Sequence, residues 1–248
     1  MNKLKTLVAS LVVATLSFGA ANSVEIRAGL TGQSTGYYAN VEETLKDAGR
    51  KTQTDGVAAF SYMSLFGEVA FDSAMGISVG LEFTPDTITI DKNASRIING
   101  GVNDGSIGGA LLNTTDAADA PEGGGDTPGG VQKVGAAIKD LTMLYVGVPL
   151  MDTGLTVKVG FQTATLQTTE LLATGSTYKD VDMEGASFGL YYDGAITENL
   201  FYRLEGAYTY FDDMEVTGSQ VGGTAGTFNK ITAELTGVAA KASVGFKF

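Results

Sequence analysis

From Val24 onward the chain alternates apolar and polar residues with period 2, in runs separated by polar stretches. In "VEIRAGL", Val24, Ile26, Ala28 and Leu30 share one face, and Glu25, Arg27 and Gly29 the other. The same plan recurs in "ISVGLEF" (77–83), "LTVKVGF" (155–161), "ASFGLYY" (186–192), "YRLEGAYTY" (202–210) and "VAAKASVGFKF" (238–248). Strict alternation over runs of this length marks half-buried β-strands. Two further runs, 59–71 and 140–150, read as strands whose facing the alternation leaves open. The pattern therefore predicts eight strands.

The predicted connections alternate in length. Short ones fall at 72–75, 150–154 and 193–199; long polar ones fall at 32–55, 86–136, 168–181 and 212–229. One end of the sheet would thus carry tight turns and the other long loops, the asymmetry of a transmembrane β-barrel. A sandwich of eight strands would also alternate, without so one-sided a loop pattern.

The first residues change the picture of location. "MNKLKTLVASLVVATLSFGAANS" has Lys3 and Lys5, an apolar stretch from Leu7 to Phe18, and small residues around Ala20 and Ala21. This is the layout of a secretory signal peptide, placed over residues 1–21 with the barrel domain at 22–248. Cysteine is absent, so an exported fold here uses no disulfides. With 16 basic and 28 acidic residues the net charge is −12, which argues against a nucleic-acid partner.

Charge also indicates which face is outside. The polar strand face carries the acids Glu25, Glu68, Glu82 and Glu205 and the bases Arg27, Lys158, Arg203 and Lys241, which sum to zero in a strongly acidic chain. A closed interior requires such matching, because an unpaired buried charge costs several kcal/mol. Eight strands leave a lumen that side chains can fill. Glycines at 29, 67, 80, 160, 189 and 245, read as facing inward, would make room for the long Arg, Lys and Glu side chains. The expectation is an all-β, closed antiparallel eight-stranded transmembrane barrel with a charge-paired lumen.

The final strand, with Ala242, Val244, Phe246 and Phe248 on one face, completes a family resemblance. Together with the leader and the eight alternating strands, it resembles the Gram-negative outer-membrane β-barrels, of the small OmpA-barrel, OmpX and OmpW-like type, without a C-terminal periplasmic domain. The resemblance implies a location in the cell outer membrane after export through the periplasm, and surroundings of outer-membrane lipid and lipopolysaccharide. It also implies that the barrel-assembly machinery reads Ala242, Val244, Phe246 and Phe248 during insertion. The expected state is a monomer, and the loops leave any surface ligand unidentified. Aromatic residues near strand ends, among them Tyr145, Tyr192, Tyr202 and Phe161, are candidates for girdles at the membrane boundaries.

Candidate chemistry is sparse. Histidine is absent, and with it the usual general base, so no catalytic residue is assigned and the protein is not expected to be an enzyme. Without Cys or His the usual zinc ligands are missing; no cofactor and no metal site are expected. The acids of the longest loop (Asp104, Asp116, Asp119, Glu122, Asp126) lack EF-hand spacing and read as solvated charge. Two roles follow: a structural and surface-interaction barrel acting through its loops, or a narrow pore or OmpW-like route for small or hydrophobic solutes. For the second, Phe60, Tyr62 and Phe66 could line a pocket near the outer end.

Overall fold

The computed structural model describes residues 24–45, 50–71, 76–90, 95–98, 130–151, 153–171, 178–219 and 230–248. The expected signal peptide and the acids of the longest loop lie outside these residues. The strands are β1 (Val24–Leu45), β2 (Arg50–Phe71), β3 (Ser78–Phe83), β4 (Ile88–Ile90), β5 (Ser95–Ile98), β6 (Gly130–Pro149), β7 (Leu155–Leu171), β8 (Val181–Ala195), β9 (Leu200–Thr217) and β10 (Lys230–Lys247). Every pairing is antiparallel between neighbours. Strand β3 pairs with both β2 and β6, and β4 and β5 follow it along β6 as one interrupted strand. The result is a closed barrel of eight staves.

Closure joins the two ends of the chain. The β1–β10 register runs from Arg27↔Lys247 to Thr44↔Lys230. It continues through Ile26, whose carbonyl accepts from the Phe248 amide at 2.9 Å. This end also holds the tight turns, where the Leu150 amide donates to Leu155 O at 2.7 Å and the Ile196 amide to Leu200 O at 2.8 Å. It is called the lower end below.

The apolar faces point outward. Ile26, Leu30, Val146, Val159, Phe161, Phe188, Leu190, Leu204, Val244 and Phe246 are all exposed. On β1 this outward face runs from Ile26 to Tyr38. About 12 residues at ~3.3 Å each, tilted ~40°, rise roughly 30 Å, the thickness of a bilayer's hydrocarbon core. Above Tyr38 the outward residues turn polar: Asn40 donates to Asp55 at 2.8 Å and Lys51 to Glu42 at 2.7 Å.

Strand lengths correct the expected connections. The stretch 32–55 is almost all strand, with only 46–49 outside the described residues. Strands β6, β7 and β9 likewise run on into the expected loops. Beyond the membrane level both faces meet water, so alternation fades while antiparallel pairing persists.

Two bulges decide what fills the upper interior. In β6, Asp140 and Leu141 oppose a single residue of β7, and Asp140 has φ 54°. In β9, Asp212 and Asp213 stand opposite Glu234 of β10. An extra residue shifts the facing by one position. Consequently Ile138 and Leu141 both point inward, as do Phe211 and Met214, and they join Tyr37, Ile88, Ala164, Met183 and Leu235 in an apolar cluster.

The glycines also differ from expectation. Gly67 is exposed, because Glu68 takes the inward position on β2. Over the inward glycines, the space is filled mainly by rings rather than charged side chains. A Cβ on Gly80 would collide with the Tyr145 ring, and one on Gly245 would come within 2.7 Å of Phe201.

The outward band generates a test. Val159→Arg should destabilise the barrel refolded in lipid vesicles by ~2–4 kcal/mol, the cost of a cation facing mid-bilayer lipid. Thr217→Arg, on the exposed polar end of β9, should stay within ~0.5 kcal/mol. Equal effects of the two in urea titrations would mean that the Val159 face does not meet lipid.

Candidate functional site

Below the apolar cluster the interior is ionic, in two tiers. The lower tier centres on Glu68 and Arg203, each 2 % exposed. Arg203 donates to Glu68 through NH1 at 3.0 Å and NH2 at 3.1 Å, and to Asp193 through Nε at 2.7 Å and NH2 at 2.9 Å. Paired donors of this kind match the fork of a guanidinium to two carboxylates. Arg27 closes the set, 3.1 Å from Glu68, 3.3 Å from Asp193 and 2.5 Å from Glu25, with Lys247 3.8 Å from Glu25. The Arg203 guanidinium lies 3.8 Å from the centre of the Tyr191 ring, which covers a face that accepts no hydrogen bond.

In the upper tier, Glu82 accepts from Lys158 and Lys241, each at 2.9 Å, and from the Ser64 hydroxyl at 2.8 Å. Glu205 pairs with Lys158 at 3.0 Å and Lys241 at 3.8 Å. Tyr145 joins the tiers: its hydroxyl donates to Glu68 at 3.0 Å, and its ring centre lies 4.2 Å from the Lys158 ammonium. Each tier balances by itself. Glu25, Glu68 and Asp193 face Arg27, Arg203 and Lys247; Glu82 and Glu205 face Lys158 and Lys241.

All eight charged residues singled out from the sequence thus lie in this interior. The sequence reading missed Asp193, which it assigned to a turn; β8 runs to Ala195 and carries Asp193 on the face of Tyr191. Extending the alternation of "ASFGLYY" by one step would have found it. Lys247, left out as a strand-end residue, joins the lower tier's edge. Val244, Phe246 and Phe248 point outward with Ala242. Of the candidate pocket residues, Tyr62 and Phe60 pack against the apolar cluster. Phe66 instead sits lower, edge-on to Phe201 with ring centres 6.2 Å apart.

Between the upper tier and the apolar cluster is a cavity of about 20 Å³. Glu82, Lys241 and Met143 line it on the side of the tier and Tyr37 and Leu141 on the side of the cluster, with Gln33, Tyr62, Thr84, Gln162 and Ser187 among its walls. Beside it the pairing between strands is incomplete among the described residues. Strand β2 pairs with β3 from Leu65 to Ala70, and among the described residues nothing pairs with that edge of β2 higher up. Pro85, just beyond β3, has no N–H to offer a neighbour.

A closed eight-stranded barrel, apolar outside and ionic within, has the architecture of the small outer-membrane barrels. Comparison with solved structures agrees. The outer membrane protein OprG from Pseudomonas aeruginosa superposes with a TM-score of 0.56 at 13% identity, covering 92% of this chain and 96% of that one. The outer membrane protease OmpT from Escherichia coli gives 0.46 at 14%, covering 92% and 97%. Ail, the attachment invasion locus protein of Yersinia pestis, gives 0.35 at 9%, covering 89% and 99%. At such identities only the fold is established, and it rests on the first of the three. No family model and no curated protein matches the sequence.

Removing one member of a saturated tier strands its partners. Glu68→Gln should cost ~3–5 kcal/mol in urea unfolding of the refolded barrel, because two guanidiniums lose their shared negative charge and meet an amide donor in place of one acceptor oxygen. Glu42→Gln, which breaks the exposed contact to Lys51, should cost at most ~1 kcal/mol. Similar losses for both would show that the interior charges are well hydrated.

Proposed function

We propose that this protein is an integral barrel of a Gram-negative outer membrane, reached by export through the periplasm, with a sealed interior and a structural and surface-interaction role. The observation that carries this reading is the separate neutrality of the two ionic tiers, roofed by the apolar cluster. Such an interior offers an ion neither a free counter-charge nor a continuous polar path. Activity then falls to the upper end, where the chain connects β1 to β2, β5 to β6, β7 to β8 and β9 to β10. Lipid and lipopolysaccharide surround the wall as partners. The outward row Ala242, Val244, Phe246 and Phe248 serves as the signal for the assembly machinery. Catalysis is not part of this reading, since the chain has no His and no Cys.

The absence, among the described residues, of a strand paired to β2 above Leu65 favours one alternative. Tyr62 of β2 and Thr84, just beyond β3, both line the cavity next to that gap. An OmpW-like lateral route would pass a small apolar solute between cavity and lipid there.

Conductance of the refolded protein in planar bilayers tests the first reading: no regular steps are expected. Steps that change with Glu82→Gln would overturn it. Proteoliposomes should take up a small apolar dye no faster than protein-free liposomes. Uptake that Thr84→Trp slows would establish the lateral route instead.

A further inference from the structure

The cavity between the two seals contains an unusual polar group. Gln162 of β7 is 5 % exposed, yet among the described residues no acceptor meets its Nε2. A buried amide N–H left without a partner is rare and penalised. Its neighbours on the cavity wall, Gln33, Thr35, Tyr62, Thr84, Ser187 and Thr209, are all hydrogen-bonding side chains. Two of them are already in a hydroxyl chain, Thr35 to Tyr62 and Tyr62 to Tyr37, each step 3.2 Å. Among the described residues no charged group other than Glu82 and Lys241 lines the space, and these two are bonded to each other at 2.9 Å.

Size narrows the choice of occupant. A cavity of about 20 Å³ exceeds what one water needs, ~10–15 Å³, and falls far short of a drug-sized ligand's pocket. A buried water needs about two to four polar partners. Gln162 supplies the donor, and the hydroxyls opposite can accept or donate.

We infer that this cavity is a hydration site, holding about one or two ordered waters anchored by Gln162 Nε2. The inference extends the sealed-barrel reading: the interior is wet between an ionic floor and an apolar roof, and dry within the roof.

Water-edited solid-state NMR of the barrel in lipid bilayers tests it. Magnetisation from water should reach the Gln162 side-chain amide and Ser187, and should not reach Ile138, Met183 or Phe211. Absence of transfer at Gln162 overturns the hydration site and leaves the seal standing. Transfer along the whole interior, roof included, overturns the seal. Gln162→Met, close in volume and unable to donate, should lower transfer at Thr35 and Ser187; undiminished transfer there would remove Gln162 as the anchor. The wild-type spectrum decides the main point even if that variant does not refold.

Discussion

The wall of this barrel has to pair its own backbone. Lipid offers no hydrogen bonds, so each N–H and C=O at membrane depth must find a partner in the sheet. Pairing of the first strand with the last, down to Phe248 on Ile26, meets that demand at the seam. Closing on eight strands in turn sets a narrow interior. Long charged side chains on the inner face then meet others from across the barrel. That is why Arg203 of β9 reaches Glu68 on β2 across the lumen, where it meets Arg27, the cross-strand neighbour of Glu68 on β1.

The ionic tiers fit a role in register better than one in raw stability. A buried pair is often no more stabilising than well-packed apolar residues of the same volume. What the tiers do is spread charge over the staves: β1, β2, β3, β7, β8, β9 and β10 each contribute, and β6 adds Tyr145 between them. A slip of one residue turns a strand's whole face over. In this barrel it would put Arg203 or Lys158 into lipid, at ~2–4 kcal/mol for each cation near the midplane. Correct pairing thus separates from slipped pairing on nearly every strand.

The same physics explains what could be read from the sequence. Lower down, where lipid lies outside and ions inside, alternation is sharp, and Glu25, Arg27, Lys158, Arg203 and Lys241 declare their face. Higher up the signal fails for local reasons. At Asp140–Leu141 and Asp212–Asp213 the extra residue reverses the facing, so Ile138 and Met214 point in although simple parity sends them out. Such a reversal leaves little trace in composition, and it depends on backbone geometry such as the positive φ of Asp140. Polar ribbons such as 39–45 carry no alternation and read as loop in the sequence. Tyr145, a girdle candidate in the sequence, instead lies buried in the interior over Gly80, as Phe201 does over Gly245: a glycine marks space without saying what fills it.

Those bulges matter to how the barrel is closed. Without them β6 and β9 would turn Ile138 and Met214 toward the outside and take two members from the apolar cluster. With them, an apolar layer lies next to the ionic tiers, two seals of unlike kind in the sealed-barrel reading proposed above. A layer of paired ions can be loosened by water, which solvates each member; an apolar layer gives water nothing to bind. Stacking the second on the first makes each cover the other's weakness.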